Sequence, residues 1–130
     1  MGSTSESGWT PAAETLVFVY GTLQRGESSH HYLVGARFVG QARTAPDFEL
    51  VDLGEYPAMV LGGNTAVTGE LYAVTARGLN HLDELEDHPE YFRRTDVQLA
   101  DGRQVVSYIL PDSQASPYPR IGSGSWRQRA

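Results

Sequence analysis

Two short stretches hold residue types that can do chemistry on a small molecule. In the first, the apolar run Leu16-Val17-Phe18-Val19-Tyr20 leads straight into Gly21-Thr22-Leu23 and on to Gly26. A glycine turn after a strand leaves backbone N–H groups free, and such donors suit a carboxylate or a developing oxyanion. The same residues also read as a plain bend. The second stretch, Leu82-Asp83-Glu84-Leu85-Glu86, closes a helical pattern. At about 100° per residue, Leu79, Leu82 and Leu85 centre an apolar stripe, and Glu86 projects only about 40° from its middle. Glu84 points almost directly away, and Asp83 lies at the edge, about 100° off. A carboxyl carried inward loses hydration, which raises its pKa towards the range useful for proton transfer near neutrality. The other reading of Glu86 is a frayed helix end, its side chain turned to water before Pro89.

Other chemistries lack their residues. The chain has no cysteine, which removes disulfides, thiolate metal sites and a cysteine nucleophile. Gly21 to Gly26 has the spacing of a phosphate loop, but Glu27-Ser28 replaces the Lys-Ser/Thr that such a loop needs. His30-His31 are adjacent and His81 and His88 straddle a helix end, so no metal-ligand spacing appears and no metal or cofactor is expected. No Gly-x-Ser-x-Gly elbow supports a serine triad. All ten basic residues are arginine and the net charge is −6, which disfavours nucleic acid as a partner. Arg93-Arg94 reads as ordinary strand-edge charge.

The elements that must position these residues are mostly strands. At 130 residues the chain can bury one core, so residues 14–130 are expected to form a single domain behind a tail of residues 1–13. That tail has neither the basic start nor the apolar run of a signal peptide, and no run of about 18 apolar residues spans a membrane. A cytoplasmic protein is expected. Strand patterns cover Leu16 to Tyr20, Arg37 to Ala42, Phe48 to Asp52, Ala58 to Leu61, Ala66 to Val74, Arg93 to Leu99 and Gln104 to Leu110. Asp101-Gly102 predicts a two-residue hairpin between the last two, and Gly62-Gly63-Asn64 suggests another turn of that kind. A short helix is predicted over Ser28 to Val34. The principal helix is predicted from Ala76 to about Glu86, with Thr75 as its N-cap. The fold class is therefore α+β, a small curled sheet or barrel with one principal helix packed on it and minor flanking helices.

Taken together, Phe18-Val19-Tyr20-Gly21-Thr22-Leu23 and Leu82-Asp83-Glu84-Leu85-Glu86 resemble the hallmarks of the γ-glutamylcyclotransferase-like family. The similarity continues through Tyr56-Pro57-Ala58, Gly69-Glu70-Leu71-Tyr72, Arg93-Arg94-Thr95, Ser107-Tyr108 and Gly122-Ser123-Gly124-Ser125-Trp126. It implies a small mixed β-barrel with a cavity at one end, where the turn and the glutamate meet. By that resemblance Tyr20, Gly21, Thr22 and Leu23 match the substrate-cradling turn, Glu86 the catalytic acid/base, and Tyr108 and Tyr118 the pocket tyrosines. One departure stands out: relatives of the γ-glutamylamine type carry Tyr-x-Arg after the glutamate, whereas here Phe92 takes the tyrosine's place and Tyr91 precedes it. Tyr91 is then either a shifted substitute or a surface strand residue.

The family's chemistry asks little of the protein. In a γ-glutamyl amide the substrate's own α-amine attacks the γ-carbonyl, closing a five-membered ring and expelling an amine as 5-oxoproline forms. The partner implied is a small γ-glutamyl compound, and the Thr22 form of the turn looks more like the γ-glutamylamine and antibiotic-pathway branch than the glutathione branch. The alternative is a non-catalytic small-molecule binding module on the same fold; retention of Glu86 speaks against it. An interaction domain using the acidic surface would rest on net charge alone.

Overall fold

The computed structural model describes residues 14–115 and 117–129; the expected tail, residues 1–13, lies outside them. Among the described residues seven strands form one mixed sheet: β1 (Glu14–Val19), β2 (Arg37–Arg43), β3 (Phe48–Asp52), β4 (Pro57–Leu61), β5 (Thr68–Thr75), β6 (Arg93–Gln98) and β7 (Gln104–Ile109). The principal helix α1 (Ala76–Leu85) follows β5 directly, α2 (Asp112–Ala115) is a single turn, and 3-10 turns occupy His30–Leu33 and Trp126–Gln128. The predicted N-cap forms: the Thr75 hydroxyl accepts the Gly78 N–H at 3.2 Å, satisfying one donor of the first turn.

The strand order is β2-β5-β1-β7-β4-β3, with β6 paired to β7. β1 is central, antiparallel to β5 and parallel to β7. Its two faces are both covered, which is why it reads as a continuous apolar run rather than an alternating one. Val17 and Val19 pack in one cluster with Tyr72, Val74 and the helix residue Leu82; Phe18 and Tyr20 pack in another with Leu50, Met59, Leu71 and Trp126. Full burial of each large apolar side chain contributes about 1.5–3 kcal/mol, so these clusters, which sandwich β1, fix where its C-terminal turn emerges.

β7 supports a fork. β6 pairs along its whole length, so β1 and β4 share its other edge, Val17 beside Val106 and Met59 beside Ile109. Tyr20 fills the gap as the two strands part. Its hydroxyl donates to the Tyr108 carbonyl at 2.7 Å and accepts the Met59 N–H at 2.9 Å. Burial drives the pKa of this phenol well above its ordinary range.

The sheet curls into a barrel-like shape without closing. Between β2 and β6 only Thr44 and Leu99 bridge, with Ala45 N–H on the Gln98 carbonyl and Ala100 N–H on the Arg43 carbonyl, each at 2.9 Å. A bulge between Phe38 and Gly40 breaks the register of β2 with β5, and bulged strands bend. Only the C-terminal end of β2 therefore reaches β6.

Both turn expectations need correction. The β6–β7 loop has three residues, not two: Leu99 N–H bonds the Arg103 carbonyl and Gly102 N–H the Leu99 carbonyl. A two-residue turn of the Asp-Gly kind needs positive φ at both positions, and only Gly102 has it. Gly62-Gly63-Asn64 joins β4 to β5, which are not neighbours. It instead wraps the start of β3, with Gly62 and Gly63 N–H on the Asp47 carbonyl and Thr65 bridged to Phe48. No helix among the described residues is long and apolar enough to cross a membrane.

Candidate functional site

The end of α1 is stitched down rather than frayed. Asp87 takes φ 56°, the left-handed conformation that usually calls for glycine, and closes the helix in a Schellman pattern. His88 N–H reaches the Asp83 carbonyl at 2.9 Å and Asp87 N–H the Glu84 carbonyl at 3.2 Å. Tyr91 N–H bonds the Asp87 carbonyl and Phe92 N–H the Glu86 carbonyl. The N–H and C=O of Glu86 are both engaged, to Leu82 and from Phe92, so the backbone that carries its side chain is fixed.

Glu86 lines a cavity of about 280 Å³, close to the lower end of ordinary ligand pockets. It is lined by the C-terminal end of β1 with the turn Gly21-Thr22-Leu23, by Leu85, Glu86 and Asp87 at the end of α1, by Pro57 and the aromatic Tyr56, Tyr91 and Phe92, and by Ser107 and Tyr108 from β7. Burial, and after it the charge of Asp87, pushes the Glu86 carboxyl up to about 7. No described residue hydrogen-bonds that carboxyl, so nothing stabilises its charged form directly. Glu84, by contrast, is exposed, as the helical spacing predicts.

The turn keeps its donors free. Its carbonyls are engaged: Gly21 by the Gln24 N–H at 3.1 Å, Thr22 by the Ser29 N–H at 2.8 Å, Leu23 by the His30 ring at 2.9 Å. Among the described residues, none accepts the N–H of Gly21, Thr22 or Leu23. Gly21 is required by packing as well, because a Cβ there would come within 2.7 Å of Cγ and Cδ of Pro57.

The predicted site residues therefore separate. Glu86, Tyr20, Gly21, Thr22, Leu23 and Tyr108 all line the cavity. Tyr118 does not; it is exposed, in the loop after α2. The hydroxyl of Tyr20 is consumed in the β4–β7 fork, and that of Tyr108 donates to Asp83 at 2.6 Å. Tyr91 is not a strand residue: it lines the cavity, its hydroxyl 3.2 Å from that of Tyr56. That bond, with burial second, pushes the Tyr56 phenol up to about 12. Helical spacing put Asp83 at the stripe's edge, yet it is largely buried and also takes a 2.7 Å ion pair from Arg94. Arg94 is therefore a tie between β6 and α1 rather than free edge charge. The spacing of charge gave no sign of this pair, since its members lie eleven residues apart on different elements.

The described residues contain no group of three or more His, Asp or Glu placed to hold a metal. What the fold and cavity define is a small α+β protein in which a raised carboxyl lines the same cavity as a turn whose N–H groups have no acceptor among the described residues. Comparison with known proteins supplies the family. A profile for gamma-glutamyl cyclotransferase, AIG2-like, matches residues 17–128. A Vibrio cholerae protein that carries gamma-glutamylcyclotransferase in its name is 43% identical, over 88% of this chain and 96% of the relative. Human gamma-glutamylaminecyclotransferase is 37% identical, over 80% of this chain and 71% of the relative. Among solved structures, a mouse AIG2-like protein superposes with a TM-score of 0.74 at 32% identity, covering 83% of this chain and 86% of the other. A uropathogenic E. coli-specific protein gives a TM-score of 0.80 at 27% identity, covering 89% and 94%. The chain belongs to the gamma-glutamylcyclotransferase, AIG2-like family and is, with that family, an enzyme of the cyclotransferase type.

Proposed function

We propose that the protein releases 5-oxoproline and a free amine from γ-glutamylamines or related γ-glutamyl conjugates, with Glu86 as the general acid/base. The observation that carries this reading is the Glu86 carboxyl, raised to about 7, lining the same cavity as the unpartnered N–H groups of Gly21 to Leu23. The α-amine of the substrate is the nucleophile. Glu86 takes a proton from the attacking ammonium as the N–C bond forms at the γ-carbonyl, then returns it to the leaving nitrogen as the amide C–N bond breaks. Both nitrogens sit on one tetrahedral carbon, so one carboxyl near neutrality serves both transfers. The turn donors hold the substrate's carboxylate or its oxyanion. Because attack is intramolecular, holding the substrate in a bent geometry supplies several kcal/mol of the barrier, up to about 7–11 in the best-oriented cases.

Three observations support a γ-glutamylamine over glutathione. The charged residues lining the cavity are Glu86 and Asp87, with no arginine to receive the carboxylate that a Cys-Gly leaving group carries. Tyr56, Tyr91 and Phe92 in the lining offer an alkylamine aromatic surface to pack against. Relatives named gamma-glutamylaminecyclotransferase, from human and zebrafish, stand at 37% and 38% identity.

The test is a set of γ-glutamyl compounds (alkylamine, ε-lysine, amino acid, glutathione) assayed for 5-oxoproline. The alkylamine and lysine conjugates should turn over best. Glu86→Gln should lose at least the roughly 10²–10⁴-fold typical of a general acid–base, while Glu84→Gln keeps wild-type rate. Efficient glutathione cleavage with no activity on amines would reverse the substrate assignment. Equal single-turnover rates for wild type and Glu86→Gln would remove Glu86 from the mechanism, and binding without release would favour a non-catalytic module.

A further inference from the structure

The donor turn is held from behind the cavity by a carboxylate that the proposed chemistry does not use. Glu70 on β5 is 2% exposed, and a carboxyl taken that far out of water persists only when its oxygens are bonded. Oε1 accepts the backbone N–H of Arg25 at 2.9 Å and the phenol of Tyr72 at 3.0 Å. Oε2 lies 3.7 Å from Nη2 of Arg127. The same guanidinium donates to the Arg25 carbonyl and sits 3.4 Å from Glu27. Arg25 is therefore held at both its N–H and its C=O, two residues beyond the last free donor of the turn. Its own guanidinium is spent elsewhere, 4.0 Å over the Phe38 ring.

Arg127 belongs to the 3-10 turn Trp126–Gln128, which Trp126, 3% exposed, anchors in the core beside Phe18 and Leu71. Neither Glu70 nor Arg127 lines the cavity. A turn whose own N–H groups are unbonded is held through its carbonyls and its flanking residues alone, and donors help a reaction only when already aimed. We propose that Arg127, acting with Glu70, is a positioning residue that keeps the Gly21–Leu23 donors aimed into the cavity, so that the end of the folded chain completes a site built at its beginning. The proposal rests on the reading that those donors receive the substrate.

The experiment uses the full chain with Arg127→Ala, Arg127→Lys and Glu70→Gln. Two readouts are taken: kcat and KM on a γ-glutamylalkylamine across pH, and hydrogen exchange of the Gln24, Arg25 and Ser29 amides, whose bonds close the turn. Arg127→Ala should lower kcat/KM at least tenfold, leave the acid limb of the pH profile in place because Glu86 is untouched, and speed those three amides at least tenfold without changing those of α1. Arg127→Lys, which keeps the charge, should recover part of both effects, and Glu70→Gln, which keeps the acceptor for Arg25 but not the charge facing Arg127, should lie between. Wild-type kcat/KM and exchange in Arg127→Ala would overturn the proposal. So would faster exchange spread evenly over the chain, which would make the arginine a general prop. If the wild type releases no 5-oxoproline, the functional reading fails, and turn exchange still decides whether the brace exists.

Discussion

A carboxyl held near neutrality by burial must cost the fold stability, and that cost can be measured apart from any substrate. Glu86 is pushed up to about 7 against an ordinary value of 4.5, a gap corresponding to about 3 kcal/mol. Its sign follows from proton binding: the folded chain holds the Glu86 proton more tightly than the unfolded chain does. Below about pH 4.5 the group is protonated in both states and costs nothing. As pH rises from 4.5 to 7 the unfolded chain gives up its proton first, so stability falls, and above about 7 the whole penalty is present. Glu86→Gln removes the ionisation while keeping the shape. At pH 8 the variant should therefore be more stable than wild type by up to about 3 kcal/mol, or about 10 °C in melting temperature for a domain of this size. At pH 4.5 the two should coincide. Urea unfolding of both proteins from pH 4.5 to 9, with Glu84→Gln as the exposed control, reads the difference directly. Parallel curves for wild type and Glu86→Gln would refute the burial argument, and with it the reason for assigning Glu86 the proton transfers.

Other expectations follow from single contacts. Asp87→Asn should keep the helix end, since asparagine tolerates the left-handed conformation, yet remove a charge that raises Glu86; the acid limb of kcat/KM should move to lower pH than wild type's, near 7. Unchanged pH profiles would show that burial alone sets the carboxyl. Gly21→Ala drives a methyl into the Pro57 ring and should cost about 1–3 kcal/mol of overpacking, with kcat/KM falling further than stability because the donors tilt; a fully active alanine variant would dissociate the turn from catalysis. Tyr20→Phe should lower stability by about 1–3 kcal/mol, because the Met59 N–H and the Tyr108 carbonyl lose their shared partner in the β4–β7 fork. An unchanged urea midpoint would show that water replaces the hydroxyl there.

The elements were legible from local pattern, because β1, β5 and α1 each carry a period or an apolar run set by the faces they bury. Phe48–Asp52 has the span its pattern predicts, and α1 ends one residue short of the expectation, where Asp87 reverses the chain. The fork on β7 was not legible. It depends on one hydroxyl bridging strands that are far apart in sequence, and Tyr20 looks from its neighbours like part of the cradle alone. Asp83 was misplaced for a similar reason. Helical spacing measures the angle from the apolar stripe but is silent about Tyr108 and Arg94, which arrive from β7 and β6 and make burial at the stripe's edge affordable. Tyr118 came from resemblance only, with no local constraint to support it.

The same distinction explains why Glu86 could be singled out at all. A helix end decides for itself whether a terminal side chain is free, and the residues that close this one, Asp87 and His88, lie next to it in sequence. Its neighbour Asp83 points towards partners that neutralise it, so its carboxylate is spent on structure. Glu86 has the opposite environment: capping bonds engage its backbone, its half-buried side chain shares a cavity with Tyr56, Tyr91 and Phe92, and the charge that acts on it beyond burial is the like charge of Asp87. Two carboxylates three residues apart at the end of one helix thereby sit in opposite environments, one bonded to Tyr108 and Arg94, the other raised by burial towards neutrality. A protein using Glu86 merely as surface charge would have no reason to sustain that penalty, which exchanging glutamate for glutamine would relieve.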